Sequence, residues 1–141
     1  MNYLHRKLRG NISIRGALVC IGYLLSFIGF FLPWYRVVMS GAVQMYTGYG
    51  LASQYSSLWY IYFVPLFAGA GILGSVFYTL GEFRDFPTKW VSVGFSAAIL
   101  VFILALLFSA AGLVVPLYNA MEIGMYATIT GAILSLIYSL F

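Results

Sequence analysis

Side chains able to do acid–base, nucleophilic or metal chemistry are scarce in this sequence of 141 residues. The carboxylates are Glu82, Asp85 and Glu122, and beside them the chain has one histidine, His5, and one cysteine, Cys20. Haem, zinc and di-iron centres each need several such ligands close together, so this chain alone cannot assemble one. GxSxG, Walker and HExxH motifs are also missing from the sequence. We therefore expect a protein that is not an enzyme and holds neither a metal nor another cofactor of its own.

The charged residues lie outside the apolar segments, which argues against an ion-coupled carrier. Such carriers place ionisable side chains within their membrane spans, and only Glu122 comes near a span here. Cations cluster near the N-terminus and again between residues 81 and 89, where Glu82 and Asp85 accompany them as in a solvated, salt-bridged loop. We interpret the N-terminal cluster as a segment that rests on anionic lipid headgroups, not as a nucleic-acid-binding site. The cations of the two clusters are Arg6, Lys7, Arg9, Arg15, Arg84 and Lys89.

The composition requires lipid as the solvent of this chain. Hydrophobic residues make up 63% of the sequence and charged residues only 7%, whereas a soluble domain carries about 25% charged residues. A compact domain of this size cannot bury so many apolar side chains. We therefore predict an integral membrane protein that forms a single domain over residues 1–141, is surrounded by membrane lipids and binds no nucleic acid.

Four apolar segments are each about as long as the roughly 20 residues that a helix needs to cross a bilayer. They predict an all-α bundle of four transmembrane helices, at about residues 16–32, 58–80, 90–115 and 121–140. The first segment also follows a basic region, as in a signal peptide, but it is too long for one and no small-residue cleavage site follows it. Because cations accumulate before the first span and in the 81–89 loop, the positive-inside rule places both termini in the cytoplasm of a multi-pass cell-membrane protein.

Small residues recur at helical spacing within the predicted spans. Helices in lipid associate through close packing and hydrogen bonds, which favours small residues along one face. Two interpretations are open: these faces pack inside one bundle, or one of them docks another membrane subunit or a second copy of this chain. The residues concerned are Gly22, Ser26, Gly29, Gly71, Gly74, Gly124, Thr128 and Gly131.

Aromatic side chains are also abundant, with 12 phenylalanines and 12 tyrosines. Some of these rings fit the aromatic belts found at both membrane interfaces. We assign the remaining rings to ordinary lipid contact, with a partner subunit, a quinone or a pigment as alternative contacts.

Arg36 and Glu122 are the two formal charges on the side of the membrane opposite to the termini. We predict a structural salt bridge between them that ties the first span to the fourth. Contact with a ligand or another subunit is the alternative interpretation. Because the membrane interface partly excludes water, we expect this pair to contribute more than the roughly 0–1 kcal/mol of an exposed salt bridge.

Residues 33–57 form the longest segment between two spans and lie outside the cell in this topology. Valines, Tyr46 and Thr47 on either side of Ser40 and Gly41 predict a small β-hairpin that turns at this pair. Functional residues concentrate on such segments, although this one would serve equally well as a lid that seals the bundle.

The motif residues of this region are Leu32-Pro33-Trp34, Ser40-Gly41, Gly48 and Gly50. In this order they resemble small prokaryotic four-span membrane proteins of unassigned function. The chain is also loosely similar to the claudin-like superfamily, in which a first tryptophan precedes a Gly-Leu-Trp motif: Trp34 and Gly50-Leu51 match it. Ala52 stands where the second tryptophan is expected, and the two loop cysteines of that superfamily are missing. The resemblance implies four spans and a folded outer loop, and no activity follows from it.

Three functions from different classes are compatible with this sequence. The first is a non-catalytic structural or accessory subunit of a larger membrane complex, which fits the scarcity of chemistry and the abundance of small and aromatic helix faces. The second is a claudin-like protein of adhesion or surface organisation that acts through the outer segment. The third is a small channel or lipid-handling protein, whose pore would have to form between copies because four helices enclose little space.

Overall fold

The computed structural model describes residues 14–79, 88–108 and 121–140. This part of the chain is mostly helical and contains one small two-stranded sheet. In chain order the elements are α1 (Ile14–Phe31), β1 (Pro33–Met39), β2 (Ala42–Thr47), α2 (Gly48–Gln54), a 3-10 helix (Ser56–Tyr62), α3 (Phe63–Thr79), α4 (Thr88–Phe108) and α5 (Ile123–Leu140). The predicted N-terminal cations before residue 14, most of the predicted 81–89 loop and the end of the predicted third span lie outside the described residues.

Three helical stretches are long and apolar enough to cross a membrane. They are Ser56–Phe77, Lys89–Phe108 and Ile123–Leu140. A fourth apolar stretch, Gly16–Phe31 within α1, is shorter. The described residues thus contain three candidate spans where the sequence predicted four, and the crossing by α1 remains a prediction.

The second predicted span begins differently from the regular helix expected at about residue 58. Residues Ser56–Tyr62 form a 3-10 helix in which Leu58 departs from helical geometry, with φ −99° and ψ 18°. The α-helix begins only at Phe63, and Pro65 is its third residue. Proline is tolerated there because the N–H groups of a first helical turn have no partner within the helix.

The four long helices form a bundle in which each packs extensively on two neighbours. α1 packs most extensively on α5 and also on α3, while α4 packs on α3 and on α5. Gly22 approaches Gly131, and Gly29 approaches Gly124. Because the residue number rises on one helix as it falls on the other, α1 and α5 run antiparallel.

The β-hairpin predicted in the segment after the first span is confirmed. β1 and β2 pair antiparallel, with Val38 opposite Val43 and Met39 opposite Ala42. Ser40 and Gly41 form the two-residue turn between them with φ of +53° and +81°. Positive φ at both turn residues matches the right-handed twist of the flanking strands and makes two-residue hairpins tight. Glycine adopts this geometry without the steric cost that Ser40 bears.

The hairpin is attached to the ends of α1 and α5. The indole Nε1–H of Trp34 donates to the carbonyl oxygen of Gly29 at 2.7 Å, and Trp34 is fully buried. The backbone N–H of Glu122 donates to the carbonyl oxygen of Trp34 at 3.0 Å, while Tyr35 pairs with Met121 in an antiparallel bridge. We call the part of the molecule that carries this hairpin the hairpin end of the bundle.

Candidate functional site

The contact between α1 and α5, which we call the glycine seam, brings two backbones close together. A methyl group added to Gly22 would lie 2.7 Å from the carbonyl oxygen of Gly131, and one added to Gly131 would collide with the carbonyl oxygen of Gly22. The same holds two turns further on, because a methyl group on Gly29 would lie 2.8 Å from the carbonyl oxygen of Gly124. Only glycine permits this helix separation at these positions.

Two buried hydroxyl groups cross or line the glycine seam. Ser26 Oγ donates to the carbonyl oxygen of Thr128 at 3.0 Å and so links α1 to α5. Thr128 Oγ1 donates to the carbonyl oxygen of Gly124 within α5 at 2.8 Å. Both side chains are fully buried, and their hydrogen bonds remove the cost of placing polar groups inside an apolar bundle. The structure therefore brings together six of the eight small residues singled out in the sequence.

The remaining two small residues, Gly71 and Gly74, lie in different surroundings on α3. A methyl group on Gly71 would lie 2.6 Å from the ring of Tyr23, so this glycine accommodates that ring. Gly74 is exposed, and none of the described residues comes within 4 Å of a methyl group built there. Gly74 thus takes no part in packing within the described bundle, contrary to the intramolecular interpretation, because α3 turns this side outward.

A cluster of hydroxyl groups joins α1, α4 and α5. Tyr23 Oη donates to the carbonyl oxygen of Ser92 at 2.6 Å and accepts a hydrogen bond from Ser96 Oγ at 3.1 Å. Ser96 Oγ lies 2.9 Å from Ser135 Oγ, and Ser92 Oγ lies 2.7 Å from Ser139 Oγ. The group is neutral and hydrogen-bonded throughout, which suits a structural contact between helices better than proton transfer.

Tyr23, Ser92 and Ser139 were not predicted as site residues. Serines four residues apart on each of two helices, Ser92 with Ser96 and Ser135 with Ser139, were the available signal, because this spacing places both hydroxyls on one face. Tyr23 carried no such signal, since a tyrosine in an apolar segment is also typical of an interface or of lipid contact.

Aromatic rings form a ladder between the 3-10 helix, α3 and α4. Phe102 of α4 stacks on three rings, with centroid distances of 6.3 Å to Tyr60, 5.5 Å to Phe63 and 5.9 Å to Phe67. Phe95 extends the ladder through Phe67 at 5.5 Å. These five rings therefore pack against one another within the bundle, an internal role that the sequence did not predict.

Arg36 and Glu122 meet at the hairpin end of the bundle. Arg36 Nη1 lies 3.9 Å from Glu122 Oε1, and the two side chains are 53% and 30% exposed. Glu122 directly precedes α5, and its carbonyl oxygen accepts a hydrogen bond from the N–H of Met125 in the first turn. A carboxylate there also interacts favourably with the positive end of the helix dipole. The long distance and the exposure indicate a weak ion pair, weaker than expected from the sequence.

The other hairpin residues singled out in the sequence divide into packed and exposed positions. A methyl group on Gly48 would lie 2.7 Å from the Phe30 ring and 2.9 Å from that of Trp34, so Gly48 packs tightly. The N–H of Gly50 donates to Thr47 Oγ1 at 2.9 Å, which caps α2. Ser40 and Gly41 are exposed at the turn.

Three tyrosines line the face of the hairpin opposite to Arg36. The Tyr35 and Tyr46 rings lie 5.9 Å apart, and the Tyr46 and Tyr55 rings lie 6.3 Å apart. Burial raises the pKa of the Tyr55 phenol above its ordinary value of 10.0, and the neighbouring phenols of Tyr46 and Tyr35 raise the pKa further. Tyr55 is therefore neutral at physiological pH and packs on Tyr46 as an uncharged ring.

The described residues, 14–79, 88–108 and 121–140, contain no group of three histidine, cysteine or carboxylate side chains close enough to hold a metal ion. Comparison with known proteins finds no matching family model, no matching curated protein and no matching solved structure.

We predict that Gly131→Ala destabilises the protein, because the added methyl group collides with the backbone of α1. Overpacking of this kind typically costs about 1–3 kcal/mol. Gly74→Ala is the matched control: it makes the same change on a helix where nothing is near, so its melting temperature in detergent should equal or exceed that of the unaltered protein. Equal melting temperatures for the two variants would contradict the assignment of the glycine seam.

We predict that Arg36 and Glu122 are coupled by less than about 1 kcal/mol, as is usual for exposed ion pairs. The measurement is a double-mutant cycle of Arg36→Ala and Glu122→Ala, read as the free energy of unfolding in detergent. The coupling should shrink further as salt is added, because exposed charges are screened. A coupling above about 1 kcal/mol that persists in salt would show that water is partly excluded from the pair, as the sequence predicts.

Proposed function

We propose that this protein is a four-span integral membrane protein with both termini in the cytoplasm, and that it serves as a non-catalytic accessory subunit of a larger membrane complex. The observation that carries this proposal is the exposure of large apolar side chains around the helices. Leu66 and Leu73 of α3, Val101 and Phe108 of α4 and Ile123 of α5 are each more than half exposed. Such a surface is stable only in contact with lipid or with other apolar protein.

The internal contacts support a structural role within that setting. The glycine seam, the hydroxyl cluster and the aromatic ladder fix the helices against one another without any charged side chain. A subunit that positions its neighbours needs such rigidity and no chemistry of its own. Gly74 supports docking as well, because a small exposed residue on α3 lets another helix come close.

A claudin-like role in adhesion or surface organisation is the second candidate. The hairpin favours it, because this element is folded and attached to two helices through Trp34 and Glu122. A recognition element needs such a rigid support. A channel or lipid-handling role is the third candidate and depends on assembly of several copies.

The orientation is tested by cysteine labelling in a Cys20→Ser background. We predict that Ser53→Cys, at an exposed position near the hairpin, reacts with a membrane-impermeant maleimide in intact cells, whereas Thr88→Cys at the start of α4 reacts only after the cells are opened. The reverse pattern would overturn the positive-inside argument. Reaction at both positions in intact cells would overturn the membrane crossing between them.

The subunit role is tested by purification in a mild detergent followed by blue-native electrophoresis. We predict migration well above the monomer, together with other membrane polypeptides that mass spectrometry identifies reproducibly. A sample in denaturing detergent marks the position of the single chain. Migration as a free monomer, or as a species that contains only this chain, would contradict the proposal.

A further inference from the structure

The outer edge of β2 has unpaired backbone groups. β2 pairs with β1 along one edge, and no strand of the described residues pairs with the other. A two-residue turn makes Met39 and Ala42 a hydrogen-bonded pair, and pairs alternate from there along the hairpin. The backbone N–H and C=O groups of Val43 and Met45 therefore point away from β1, towards the open edge.

The outer edge of β1 is used at its start, whereas among the described residues that of β2 has no partner. The carbonyl oxygen of Trp34 accepts from Glu122, and Tyr35 pairs with Met121. The irregularity in the hairpin pairing also lies at that end, between Pro33 and Tyr35. The first residues of β1 are therefore already paired with the start of α5, whereas no described residue pairs with the outer edge of β2.

None of the usual protection against pairing is present on β2. Its sequence, AVQMYT, contains no charge, no proline and no glycine, and Ala42–Met45 are all exposed. Soluble and membrane-anchored proteins commonly block such edges with lysine, proline or a bulge, because an open neutral edge pairs with another strand. β2 is accordingly a strand with both the geometry and the composition for further pairing.

We propose that β2 pairs antiparallel with β2 of a second copy of this chain, with Gln44 opposite Gln44 and Val43 opposite Met45. This register uses all four outward backbone groups of each strand, because Val43 and Met45 then form hydrogen-bonded pairs on both sides of a two-fold axis. A register centred on Met45 would instead pair Val43 with Thr47, whose side chain already caps α2. The result is a four-stranded sheet across the two copies.

The side chains and charges of β2 are complementary to a copy of themselves. On one face, Val43 of each copy would pack against Met45 of the other copy. These two side chains are 49% and 60% exposed in the single chain. On the other face, the Gln44 Oε1 accepts from Tyr46 Oη at 2.9 Å, which leaves the amide NH2 to donate across the pair. Arg36 is the nearest cation among the described residues, and its two copies lie three strand spacings apart and two residues out of line, about 16 Å. That distance exceeds the Debye length of about 8 Å at physiological salt, so the charges are screened.

The membrane makes this short contact sufficient. Six residues of strand bury less than the roughly 1,000 Å² that a stable interface in solution needs. Two copies held in one membrane meet at a high effective concentration, which compensates for the small area. The inference therefore rests on the membrane insertion proposed above, but it does not depend on the presence of other subunits.

The pairing is tested by disulfide cross-linking in native membranes, in a Cys20→Ser background. We expect Gln44→Cys to form an intermolecular disulfide under mild oxidation, because a non-hydrogen-bonded antiparallel pair holds its Cα atoms about 4.5 Å apart, within disulfide range. Val38→Cys is the matched control, since it is exposed on the same hairpin but lies on β1. It should give no cross-linked band beyond that from random collision.

A second pair of variants separates strand pairing from general proximity. Val43→Lys added to Gln44→Cys should abolish the cross-linked band, because it places a lysine opposite Met45 in each of the two Val43–Met45 pairs between the copies. Val38→Lys should leave the band unchanged. Equal cross-linking of Gln44→Cys and Val38→Cys, or a band that survives Val43→Lys, would overturn the proposal. Carbonate extraction of the same membranes reports insertion separately. Release of the chain by carbonate would overturn the membrane proposal. If the chain resists extraction but gives no cross-linked band, β2 pairing alone would be overturned.

Discussion

The close approach of α1 and α5 is the constraint on which the other contacts depend. Gly22 and Gly131 face each other at a distance that admits no side chain between the helices. In lipid the hydrophobic effect does not drive helices together, so attraction must come from close packing and hydrogen bonds. The glycine seam supplies the packing, and the bond from Ser26 to Thr128 supplies the polar contact. α3 and α4 then complete the bundle around this pair.

The hairpin is positioned by the same two helices. Trp34 donates to Gly29 at the end of α1, and Glu122 at the start of α5 donates to Trp34. A change in the separation of α1 and α5 would therefore move the two attachment points of the hairpin relative to each other. In this way the packing inside the bundle determines the position of β1 and β2 at its end, and of the open edge that β2 presents.

The sequence predicted the parts of the structure that depend on local spacing. Glycines seven residues apart in α1 and in α5 lie on one face, and a two-residue turn at Ser40-Gly41 follows from the strand-forming residues on either side. It could not distinguish Gly71 from Gly74, because only the position of the Tyr23 ring decides which glycine is packed. The hydroxyl cluster was missed for a similar reason: its members lie on three helices whose neighbours the sequence does not specify.

The close packing of α1 on α5 supports the proposed structural role over a transport cycle. Transporters alternate between two packings, usually through broken helices that line an aqueous cavity. In the proposed lipid setting, separation of α1 from α5 would break the hydrogen bond from Ser26 Oγ to the carbonyl oxygen of Thr128 and leave these buried groups in a medium that cannot hydrogen-bond them. The cost of that exposure favours one packing over two. The apolar outer faces and the hairpin are then the surfaces available for the proposed contact with another protein.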